Sequence, residues 1–197
     1  MQFRDMVREQ AERLSARDSF ALMMYWEGIC VVDPRARSLL VAVPEQFQGK
    51  SAMDPFSRAA LVCASAEAAF EPLLTALLDQ LGDWPAVQEE VAHFTVDLFK
   101  FIDEGRPALV LGNEVSIAGL HDYVRGYVVA SKFLSPADGE RFEADLFAFE
   151  AWLATYFDVN APWPLLLRCF NGNGPYAVQE FAKLWRRFEA DRAHPAN

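Results

Sequence analysis

The chain has 197 residues, 52% of them hydrophobic and 13% aromatic, enough apolar material for a sizeable core and too much for a disordered chain. Eighteen basic against twenty-eight acidic residues give a formal net charge of −10, which disfavours nucleic acid and anionic membranes as partners and favours a basic protein. No apolar run approaches a membrane span and the N-terminal MQFRDMVREQ has no apolar signal core, so the expected compartment is the cytoplasm.

Residues 2–16 read as a first helix, with Phe3, Met6, Val7 and Leu14 apolar and a mixed-charge outer side. Asp18 or Ser19 can cap a second helix through Phe20, Leu22, Met24, Tyr25 and Trp26, apolar nearly all round and therefore central. Residues 29–43 fit either two short strands around DPRARS, a small β-hairpin, or a helix capped by Asp33 with Pro34 at its first position; the helical surroundings favour the second. Asp54 and Pro55 start a long helix whose stripe Phe56, Ala60, Cys63, Glu67, Phe70, Leu74, Leu77 and Leu81 steps by 4 and 3. Pro72 lies inside it and is expected to kink or split it. Pro85 opens a further helix with Val87, Val91, Phe94, Leu98 and Phe101 as its stripe.

A helix is next expected from about Asn113 to Phe133, with Val115, Leu120, Tyr123, Tyr127, Val128 and Phe133 inward and with Gly119 and Gly126 allowing a close helix contact. Ser135 and Pro136 then cap and open the helix around which the chain is organised, with Asp138 three residues after Ser135 as in a capping box. Phe142, Leu146, Phe149, Leu153 and Tyr156 form its stripe, and Phe147, Trp152 and Phe157 widen that face. NAPWPLLLRCFNGNGP reads as a packed connector with one short helical turn, and Pro175 opens a last helix docked by Val178, Phe181, Trp185 and Phe188. The fold class is mainly α: one domain over residues 1–197, a multi-helical bundle of about seven or eight helices, with the small hairpin near 29–43 as its one β alternative.

Cys30, Cys63 and Cys169 are odd in number and widely spaced among apolar residues, the pattern of free core thiols in a reducing compartment. Glu90, His93 and Asp97 share one helical face at metal-ligand spacing, but no second Glu-x-x-His copy completes a di-metal set, so a solvated face is favoured and neither metal nor cofactor is expected. Glu67 interrupts an apolar stripe; buried it would mark a pocket together with His93, and on the surface it is ordinary. Adjacent His121 and Asp122 point about 100° apart on a helix, and no motif supplies a nucleophile beside them. Asn171-Gly-Asn-Gly-Pro175 precedes a helix as a phosphate loop does, yet lacks the Lys-Ser/Thr pair, and reads as a turn.

Two acidic segments remain, 79–104 and 138–158. They point to a non-catalytic binding or inhibitor protein that meets a basic partner through Asp138, Glu140, Glu143 and Glu150, with Glu89, Glu90 and Asp97 as a second set. In layout and charge the chain is similar in kind to bacterial toxin-neutralising immunity proteins; that resemblance covers no motif and implies a surface that occludes a basic active site. The alternatives are a helical-pocket enzyme or a small-molecule or metal sensor using Glu67 and His93, and a homo-oligomer held by aromatic faces.

Overall fold

Local capping decides where several helices start. Asp18 accepts from the amides of Phe20 (3.0 Å) and Ala21 (2.8 Å), and Asp54 from those of Phe56 (3.0 Å) and Ser57 (2.9 Å), with Pro55 in the first turn. The computed structural model describes residues 2–39, 47, 54–81 and 115–193. Among these residues there are nine helical segments, eight of them at least eight residues long, and no strand. They are α1 (Phe3–Ala11), α2 (Ser19–Val32), α3 (Ala36–Leu39), α4 (Pro55–Val62), α5 (Ala66–Leu81), α6 (Ile117–Leu134), α7 (Pro136–Phe157), α8 (Trp163–Asn171) and α9 (Pro175–Ala193). The protein is mainly α, a multi-helical bundle. The helix expected around Val87–Phe101 lies outside the described residues.

Three boundaries differ from the sequence reading, each for a physical reason, and the 29–43 stretch follows its favoured helical reading where it is described. α1 ends at Ala11 rather than near Ala16, because the amide of Ser15 is taken by the Asp122 carboxylate at 2.8 Å and leaves the helical ladder. The long helix after Asp54 breaks at Ala64 (φ 63°) and not at Pro72. Ser65 Oγ recaps the chain by accepting from the Ala68 amide at 3.0 Å, and α5 then runs through Pro72. Pro72 and Ala68 are both exposed, so water can take the carbonyl that the missing proline N–H leaves without a helical donor. In the 29–43 stretch the described part is helical. Ile29–Val32 closes α2, and Asp33 accepts from the Arg35 amide (3.0 Å) and from its guanidinium (2.8 and 2.6 Å) ahead of α3. Finally, the proline-rich connector is mostly helix: Pro162 and Pro164 stand at the N-cap and second positions of α8, where a missing N–H costs nothing.

Two compact units divide the chain, Met1–Ala92 with His121–Gly139, and His93–Leu120 with Glu140–Asn197. In the first, α1 runs antiparallel along α6. Phe3 stacks on Phe133 (4.6 Å between ring centres), Gln10 accepts from Arg125 at 3.0 Å, and Ser15 bonds Asp122, so numbers rise along one helix as they fall along the other. α2 is central, as its all-round apolarity predicts: Leu22, Tyr25, Trp26 and Ile29 are wholly buried. The polar ends of two of these rings are satisfied inside, Tyr25 Oη donating to the Val7 carbonyl (3.1 Å) and Trp26 Nε1 to that of Ala36 (3.2 Å). α2 meets α6 backbone against backbone at Gly28 and Gly126, where a Cβ would fall 2.0 Å from the Tyr123 carbonyl oxygen and 1.8 Å from that of Tyr25.

One core feature of this unit is a net cost. The hydroxyl of Ser131, in α6, is buried with no hydrogen-bond partner among the described residues. Ser131→Ala is therefore expected to stabilise the protein by about 1 kcal/mol and raise Tm by roughly 2–4 °C. Thermal denaturation followed by circular dichroism reads this directly, and a fall in Tm would contradict it.

The second unit is built around Phe149 of α7. Its ring lies 5.5 Å from Phe181, 4.9 Å from Trp185 and 5.6 Å from Phe188, all on α9, and Trp163 of α8 packs on Phe181 at 5.0 Å. Phe149 and Leu153 are fully buried, while Phe142 and Leu146 are half-buried and Tyr156 is exposed, so the predicted stripe is inward mainly at its middle. Phe147, which the sequence assigns to the widened core face, is 66% exposed.

Candidate functional site

α7 carries all four acids of the first candidate set, and the structure gives them different work. Ser135 Oγ donates to Asp138 at 2.7 Å, a side-chain contact in place of the backbone contacts of a capping box, so this carboxylate is engaged at the helix start. Glu150 accepts from the Trp163 amide at 3.1 Å and so caps α8 from another helix, where the amide-rich N-terminus suits a negative charge. Glu143 is half-buried and Glu140 is exposed. Asp145, on a different side of α7, is ion-paired with Arg192. Glu89, Glu90, His93 and Asp97 lie outside the described residues.

Glu67 is exposed in the first turn of α5. The helix break at Ala64 resets the phase of the stripe between Cys63 and Phe70, which turns Glu67 outward, where it suits a helix N-terminus. It does not line a buried pocket.

His121 and Asp122 have a partner that sequence reasoning missed. Asp122 is only 1% exposed, and its carboxylate accepts from Ser15 N (2.8 Å) and Ser15 Oγ, 107 positions away. His121 Nδ1 lies 3.2 Å from the same carboxylate, and Arg125 Nε donates to His121 Nε2 at 3.1 Å. A guanidinium can only donate, so Nε2 accepts and the imidazole proton resides on Nδ1, facing Asp122. Arg125 also donates to Gln10 Oε1 at 3.0 Å. The order Ser–carboxylate–imidazole puts the carboxylate in the middle. In nucleophilic catalysis the imidazole stands there, so that it can take the hydroxyl proton. Here Ser15 bonds to Asp122 and the chemistry is that of a staple, tying the 12–18 turn to α6.

The glycine-rich segment is also absorbed by the fold. Asn173 gives its carbonyl oxygen to the Ile117 amide (3.1 Å) and its side-chain oxygen to that of Ala118 (3.3 Å), capping α6 from the α8–α9 turn, and Ser116 Oγ takes the Gly119 amide at 3.0 Å. At the start of α9, the helix this segment precedes, the Ala177 and Val178 amides both donate to the Gly174 carbonyl, at 3.0 and 3.4 Å. Gly172, at φ 76°, makes the turn that delivers Asn173.

All three cysteines are free thiols, but only Cys30 is a core one; Cys63 is half-buried and Cys169 exposed. Burial, reinforced by the Glu27 and Asp33 carboxylates, pushes the Cys30 thiol up to about 12, which keeps it protonated and unreactive. Among the described residues no group of three or more His, Cys, Asp and Glu side chains is placed to hold a metal, and no helix is long and apolar enough to cross a membrane. No protein-family model matches the chain, and neither a characterised protein nor a solved structure is significantly similar to it.

Proposed function

We propose that the chain is a non-catalytic, cytoplasmic binding protein of the inhibitor type, which meets a basic protein partner through the outer face of α7. The observation that supports this reading most directly is the placement of Glu140, exposed, with Glu143 one turn on and Glu150 two turns further along the same side, in a chain of net charge −10. Asp138 and Glu150 are engaged at helix starts, so Glu140, the exposed member, carries the encounter. The partner's surface would be an Arg/Lys-rich patch, such as the active site of an enzyme that acts on a polyanion, and occlusion of that patch would be the inhibitory act.

The test begins with capture from the native source at low and then moderate salt. One stoichiometric basic protein, lost as salt rises, is the expected result. With that partner purified, Glu140→Lys combined with Glu143→Lys should slow association about tenfold at low ionic strength and flatten its salt dependence, leaving the fold intact. Unchanged association rates would overturn the assignment of this face.

A further inference from the structure

We propose that Ser15 is a phosphorylation site, modified by an arginine-directed serine kinase with ATP as phosphoryl donor, and that the phosphate unfastens the 12–18 turn from α6. The inference goes beyond the binding reading above and does not depend on it.

Ser15 is exposed and lies between α1 and α2, in backbone that is neither helix nor strand. An enzyme that works on a side chain must draw the surrounding backbone into its own groove, and an exposed turn yields to this more readily than a helix. Arg13 and Arg17 stand two positions before and two after Ser15, both exposed. Each is engaged in a surface ion pair, Arg13 with Glu9 at 2.8 Å and Arg17 with Glu71. Such pairs contribute little and give way to a stronger anion. The two guanidiniums therefore serve twice, as the cations that an acidic substrate groove selects and afterwards as partners for the phosphate. Ser65 is the internal comparison. It too is exposed in a bend between two helices, but no Lys or Arg lies within six positions of it.

What makes Ser15 more than an accessible serine is the group beneath it. Its hydroxyl donates to Asp122 Oδ2 and its amide to Oδ1 at 2.8 Å, and Asp122 is 1% exposed. Phosphoserine has no hydrogen on Oγ, so the first bond cannot survive the modification. The phosphoryl group also carries close to two negative charges at neutral pH, and it is attached to an oxygen now in contact with a buried carboxylate. Water screens that repulsion poorly at a buried site. The segment must swing outward, and the amide bond to Oδ1 goes with it. When Arg17 turns to the phosphate, its pair with Glu71 of α5 opens as well. One change of charge thus releases two ties of the turn, to α6 and to α5. In the transfer itself, Oγ bonds to the γ-phosphorus as the bond from that phosphorus to the β,γ-bridging oxygen breaks. ADP leaves with the electron pair, and the hydroxyl proton passes to the kinase's own aspartate.

The experiment treats the purified full chain with Mg-ATP and an arginine-directed serine kinase, maps phosphate by mass spectrometry and follows amide hydrogen exchange. The expected result is phosphate on Ser15 and not on Ser65, with exchange across the 12–18 turn about tenfold faster and α9 unchanged. Ser15→Ala should speed exchange in the turn less than the phosphate does, because it removes a bond without adding charge. On an Asp122→Asn background the phosphate should add less than it adds to the native chain, because the opposing carboxylate is gone. The same phosphopeptide should be present in the chain isolated from its native cells. Phosphate placed elsewhere and not on Ser15, a Ser15 phosphate that leaves the turn as protected as before, or a chain that never carries the modification in its native cells would each overturn the proposal.

Discussion

Gly126→Ala is expected to destabilise the protein by about 3 kcal/mol and lower Tm by roughly 6–12 °C. The added Cβ would stand 1.8 Å from the Tyr25 carbonyl oxygen, 2.9 Å from its carbon and 3.0 Å from the Ile29 amide nitrogen. Carbon contacts relax only near 3.5–4.0 Å, so something must move by about 1.5 Å or more. All three neighbours are backbone atoms of α2, and no side-chain rotamer can turn aside to make room. Relief must come from separating α2 from α6, which loosens the packing around Tyr25 and Ile29, both wholly buried. The gain in helix propensity from glycine to alanine, about 0.8–1 kcal/mol, works in the other direction and is outweighed. Gly28→Ala probes the same contact from α2, at 2.0 Å from the Tyr123 oxygen, and the two changes should combine less than additively because one separation of the helices accommodates both. Gly174→Ala is the control: nothing lies within 4 Å of its Cβ position, and it should change Tm little. Urea or thermal denaturation of the full chain measures all of these, and a Gly126→Ala variant as stable as Gly174→Ala would refute the close crossing.

What the sequence made legible is what neighbouring residues decide among themselves. Asp18 and Asp54 are caps because each accepts from amides two or three positions away, and proline in the first turn after Asp54 strengthens the signal. The central place of α2 follows from its composition alone. Gly126 was legible as a site of close helix contact, though not its partner Gly28. Periodicity failed where one stripe spans two helices. Phe56 to Leu81 keeps its spacing across Ala64, and a count of apolar steps cannot see a phase reset between two helices that both bury their faces. It failed again at Phe147, because a helix with apolar residues on several sides does not say which of them the fold leaves outside. The long-range caps have no local signature at all. Asn173 on α6, Glu150 on α8 and Asp122 on Ser15 each join residues more than a dozen positions apart, and only the tertiary fold brings them together. Of the candidate site, the acids of α7 were legible as a set, but the engagement of Asp138 and Glu150 at helix starts was not.

Asp122→Ala is the second large effect, expected at about 3 kcal/mol. The carboxylate is buried and gathers three donors: the Ser15 amide, the Ser15 hydroxyl and the His121 Nδ1 proton. Removing it takes the acceptor from the part-buried bonds of the Ser15 amide and the His121 N–H and empties a buried site, so the cost exceeds that of the lost bonds alone. Ser15→Ala removes one donor and keeps the rest satisfied, so about 1 kcal/mol is expected, and the double variant should lose less than the sum. Asp122→Asn separates shape from charge. Its carboxamide fills the same space and keeps one acceptor, but turns an N–H₂ toward donors, and should fall between the other two. Global stability alone would not distinguish a staple from a generic core defect, so amide hydrogen exchange is the deciding measurement. Loss of protection should be greatest at Ser15 and across the 12–18 turn. It should extend to Gln10, because Arg125 reaches Gln10 from the same side-chain chain that His121 and Asp122 align. Exchange that rises evenly through α2 and α6 with no excess in the 12–18 turn would mean that Asp122 serves the core as a whole and does not hold that turn in place.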